Sequence, residues 1–142
     1  MYEVVIRSGS ENIGGYTVSD DGELTYLYVN ILIRSVPNLT NESIYLRATR
    51  SSFPAIPVDS QKLEVSSFAT GLESWIGYVR FDFDSESLRK DDTLAIDLVT
   101  ENYTQYQSGV EISAVLNFID SSNGAFDVKS DKGAYLTLFN NR

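Results

Sequence analysis

The chain contains no histidine and no cysteine. Without histidine there is no Ser-His-Asp or Cys-His catalytic set, no imidazole zinc ligand, and none of the commonest general base near neutral pH. Without cysteine no disulfide forms, so the 142 residues depend on an apolar core, and an oxidising compartment is neither required nor excluded. Positive charge is scarce as well: 11 Lys and Arg face 20 Asp and Glu, a net charge of -9. A phosphate backbone repels such a chain, which argues against nucleic acid as a partner, and an anionic membrane surface repels it in the same way. No stretch approaches the roughly 20 apolar residues of a membrane span. The start, Met1-Tyr2-Glu3 and then Val4-Val5-Ile6, lacks the basic, longer apolar pattern of a secretory leader. The expectation is a protein that stays in the cytoplasm or leaves by another route, such as release within a virus particle.

What the chain does have is a period of two. Leu27, Val29, Ile31 and Ile33 alternate with Tyr26, Tyr28, Asn30, Leu32 and Arg34. The same alternation recurs over residues 44–49, 94–99, 112–119 and 135–139, and further strands are predicted at 2–8, 15–19, 62–66, 75–84 and 126–129. Turn signals separate them, and no segment of ten residues carries a 3.6 period; the nearest, Asp84–Asp92, reads as one helical turn. About nine or ten strands at this spacing predict an all-β fold, an antiparallel two-sheet β-sandwich of jelly-roll type, filling residues 1–142 as one domain. The predicted core is Leu27, Val29, Ile31, Leu46, Val79, Phe81, Leu94, Ile96, Leu98, Leu116 and Leu136. Gly14-Gly15 sits between strands and opens no helix, so it reads as a bulge and not as a phosphate loop.

Three groups of residues are candidates for function. Phe53-Pro54-Ala55-Ile56-Pro57-Val58 carries two of the three prolines, which bar it from a central strand. Its apolar side chains need cover, from the chain's own core or from another chain, which makes Phe53, Pro54, Ile56 and Pro57 a candidate protein interface. Trp75, Tyr78, Tyr103 and Tyr106 are candidate stacking residues for a sugar, since aromatic rings on a sheet match the faces of pyranose rings. Asp82 and Asp84 alternate with Phe81 and Phe83, and Asp91 and Asp92 follow, so hard oxygen ligands gather near one strand end.

Phe81-Asp82-Phe83-Asp84 with Ser87 and Asp91 resembles the third calcium loop of C2 domains, which would imply calcium-dependent binding. The other calcium loop of that family has no counterpart, because Val36-Pro37-Asn38-Leu39 lacks acidic residues there, so no well-formed Ca²⁺ site and no cofactor are expected. In size and texture the whole chain resembles the small β-sandwich structural proteins of tailed phages, of the capsid-decorating and tail-associated kind. That resemblance implies a non-enzymatic virion component whose partners are other protein subunits in a repeated assembly. A carbohydrate-binding or adhesion module is the alternative, and a C2-like binding domain the second.

Overall fold

The computed structural model describes residues 2–7, 9–71, 73–102, 106, 108–116 and 135–138. Among them run ten strands: β1 Tyr2–Val5, β2 Ser10–Asp20, β3 Gly22–Arg34, β4 Ser43–Arg50, β5 Val58–Asp59, β6 Leu63–Glu64, β7 Ser74–Leu88, β8 Thr93–Thr100, β9 Glu111–Leu116 and β10 Tyr135–Leu138. Short 3-10 turns occupy Val36–Leu39 and Val65–Ser67. One sheet has the order β1-β9-β3-β7, the other β10-β2-β8-β4-β5, with β6 also pairing β4. Every pairing is antiparallel, and the two sheets pack face to face as a β-sandwich.

Alternation builds the core. On β3, Leu27, Val29, Ile31 and Ile33 are fully buried, and the residues between them are half-buried. Val79, Phe81 and Phe83 on β7, Ile44, Leu46 and Ala48 on β4, and Leu94, Ile96 and Leu98 on β8 complete the layer between the sheets. Every predicted core residue with a described side chain is buried; the side chains of Leu116 and Leu136 lie outside the described residues.

Two bulges bend the period. Ile13 and Val18 are five apart, so a regular strand would point them to opposite faces; a register shift between Asn12 and Gly14 reverses the parity and both reach the core. Gly14, at φ 142, takes the positive φ that this shift needs. A second shift between Leu24 and Tyr26 brings Leu24 into the core with Leu27, where simple alternation would place Thr25.

Two segment expectations are corrected. The helical turn expected within Asp84–Asp92 is absent: β7 continues to Leu88 because Leu88 is a buried anchor paired with Gly22, and the reversal after it uses Asp91 at φ 72. The strand expected at 62–66 shrinks to Leu63–Glu64, since Val65 enters a 3-10 turn whose N–H donates to the Glu42 carbonyl. The strand expected at 126–129 lies outside the described residues.

Candidate interaction surface

The proline-bearing segment leaves the end of β4 and is shaped by two tight turns. Phe53 N–H donates to the Arg50 carbonyl at 3.0 Å, and Ile56 N–H to the Phe53 carbonyl at 3.1 Å. Residues 51–57 are all exposed. Phe53 is 37% and Ile56 61% exposed, with Pro54 and Pro57 beside them. Of the two fates the sequence left open for this loop, cover by its own core does not occur.

Around Phe53 the charges are arranged unusually. The guanidinium carbon of Arg50 lies 5.0 Å from the Phe53 ring centroid and that of Arg89 5.2 Å. Arg50 is only 9% exposed; its terminal nitrogen donates to the Ser87 carbonyl at 3.0 Å, and its buried Nε has no hydrogen-bond partner. Two carboxylates at this end of the sandwich are engaged elsewhere. Asp92 accepts from the Ser51 and Ser52 hydroxyls at 3.2 and 2.7 Å, and Asp21 accepts the Lys90 N–H at 2.9 Å. At other places the scarce cations do find acids: Arg34 with Glu3 and Glu111, Arg47 with Asp59, Lys62 with Glu101, and Arg80 with Asp82.

Of the four aromatic residues expected to form a stacking row, the three described ones, Trp75, Tyr78 and Tyr106, do not share one face. Trp75 points inward and packs on Phe68, ring centroids 5.3 Å apart, against the core. Tyr106 is partly buried and donates its hydroxyl to Glu42. Tyr103 lies outside the described residues. Tyr78 is 46% exposed and shares the outer face of β7 with Ile76, Arg80 and Asp82, because inward and outward positions alternate. Across the ladder Asn30 faces Tyr78 and Tyr28 faces Arg80. The outer face therefore carries Tyr26 and Tyr28, which the sequence reading did not single out, although the period of two assigns them to it. These rings do not form a flat platform: Tyr26 and Tyr28 meet at 88°, and Arg80 sits 3.8 Å from the Tyr26 centroid.

The acidic residues of the calcium-loop resemblance are separated in the same manner. Asp82 accepts from Arg80 at 2.6 Å and holds that guanidinium above its usual pKa, chiefly through this hydrogen bond. Asp92 turns to the two serines, while Asp84 and Asp91 stay exposed. Among the described residues no three acidic, His or Cys side chains gather as a metal-binding group.

Glu42 is the buried carboxylate that sequence reading missed. It is 4% exposed and accepts from Ser43 N–H at 3.0 Å, Asn102 N–H at 2.7 Å and the Tyr106 hydroxyl. With two N–H groups on Oε2 and the tyrosine hydroxyl on Oε1, it ties the chain before β4 to the chain after β8. An open cleft of about 350 Å³ at the same end of the sandwich is lined by Arg34, Ser35, Glu73, Ser74 and Gly109. No family model, no curated protein and no solved structure matches this chain.

Proposed function

We propose that the chain is a non-enzymatic structural or interaction protein, acting as a repeated subunit whose contacts run through the Phe53–Val58 loop. The observation that carries this reading is the exposure of Phe53 and Ile56 on a loop that turns and prolines hold in shape. Isolated apolar side chains on a surface are ordinary. Two on one loop whose conformation is already set are different, because little ordering entropy remains to be lost on contact. The assembly setting we propose is a virion, with the chain as a capsid-decorating or tail-associated subunit; size and the strand-rich, acidic texture support that setting. The carbohydrate reading is the weaker one, since Tyr26 and Tyr28 meet edge to face and Trp75 faces inward.

The test is sedimentation velocity of the purified chain over a wide concentration range, beside the double variant Phe53→Ser, Ile56→Ser. We expect the parent's sedimentation coefficient to rise with concentration and the variant's to stay at the monomer value. Identical monomeric behaviour of both proteins up to about millimolar concentration, beyond typical weak-interface affinities, would remove this reading.

A further inference from the structure

We propose that the Arg50–Phe53–Arg89 cluster is a carboxylate-binding site whose occupant is an acidic side chain of a second copy of this chain. The proposal rests on the loop interface above and adds its chemistry and direction. In a chain with 20 acidic residues against 11 basic ones, a guanidinium without a carboxylate is the exception to explain. Arg34, Arg47, Lys62 and Arg80 all have acidic partners. Arg50 and Arg89 instead meet an aromatic ring, and neither makes an ion pair among the described residues. Two carboxylates at this end are engaged elsewhere, Asp92 by the Ser51 and Ser52 hydroxyls and Asp21 by the Lys90 N–H, and Asp91, two residues from Arg89, makes no ion pair with it among the described residues. The second, independent sign is that the nine-tenths-buried Arg50 has an unpartnered Nε, so its charge is incompletely satisfied within the chain and adds to the positive field that the exposed Arg89 presents at the surface. A carboxylate fits best, because a planar guanidinium pairs with its two oxygens, while the ring beside it excludes water and strengthens the attraction.

The opposite end of the sandwich supplies the acid. Glu64 pairs at the start of β4, whose far end is Arg50, and Glu73 precedes β7, whose far end leads to Arg89. Both glutamates are exposed and make no ion pair among the described residues, and Glu73 lines the open cleft beside Gly109. The two sites sit a strand length apart and cannot meet within one chain; fifteen residues of β7 span roughly 50 Å. A two-fold contact through the loop would set the arginines against each other. The charges match only head to tail, a heterologous contact that closes as a ring or extends as a filament.

The experiment uses the full chain in sedimentation velocity at low and raised salt, with circular dichroism to confirm that each variant is folded. The exposed Arg89 makes Arg89→Glu a surface change. Expected are concentration-dependent association of the parent that weakens in raised salt, and about tenfold or greater loss of affinity in Arg89→Glu. The same loss is expected in Glu64→Lys, Glu73→Lys, with association restored when all three changes are combined. Association that Phe53→Ser, Ile56→Ser abolishes but that ignores salt and Arg89→Glu overturns the carboxylate site and leaves the loop interface standing. Loss in both charge variants without restoration in the triple variant overturns the head-to-tail pairing. A parent that never associates removes both readings.

Discussion

Glu42 accepts from three donors, two backbone N–H groups and the Tyr106 hydroxyl. Removing the carboxylate takes away all three contacts at this partly buried place, and a hydrogen bond to a charged group contributes about 1.5–3 kcal/mol at most. We expect Glu42→Ala to lower unfolding free energy by about 2–4 kcal/mol in urea titration, and Tyr106→Phe to lose only about 1 kcal/mol. Glu3 is the residue to follow with pH. The hydrogen bond from Arg34 is the largest cause that holds its pKa below the ordinary value of 4.5, with Ser113 also donating. Its folded-state pKa is depressed, so its contribution to stability is present above 4.5 and is lost as pH falls through the lowered value. The melting temperature of Glu3→Gln should fall less steeply below pH 4.5 than the parent's. The difference is small, because both side chains are partly exposed.

On the scale of the element, β7 concentrates the fold's constraints. Gly77 lies between Trp75 and Val79 on the inward face, and a Cβ there would sit 2.9 Å from two atoms of the Trp75 ring. Gly77→Ala must displace the indole that packs on Phe68, at a cost of about 1–3 kcal/mol typical of overpacking. Trp75 is the sole tryptophan, so its fluorescence reads this movement directly. The emission maximum should shift toward that of an exposed indole while far-UV circular dichroism keeps its β signature. An unchanged spectrum would mean that the neighbouring strands yield instead. On β4, Leu46 is fully buried between the sheets, and Leu46→Ala should cost about 2–5 kcal/mol from lost transfer energy and the cavity left behind.

For the whole molecule, a net charge of -9 means that compaction works against self-repulsion. Raising sodium chloride from about 10 to 150 mM shortens the Debye length from about 30 to 8 Å, so the folded chain should melt higher in added salt. A melting temperature that falls with salt would show that the five described ion pairs outweigh that repulsion. The fold class is legible in the residues alone, because alternation of Leu, Val, Ile and Phe with polar residues buries one face of each segment only as a strand. So is the Phe53–Val58 loop, since two prolines exclude a ladder position. The rest depends on contacts between strands far apart in the chain. Bulges at Gly14 and Thr25 change which residues face inward, and they depend on pairing with β8 and β7. Trp75 packs inward on Phe68, and Tyr106 donates to Glu42 across 64 residues, contacts that no local pattern displays. Arg50, Phe53 and Arg89 form one cluster because the ends of β4 and β7 meet at one end of the sandwich, a proximity across 39 residues that no local pattern encodes.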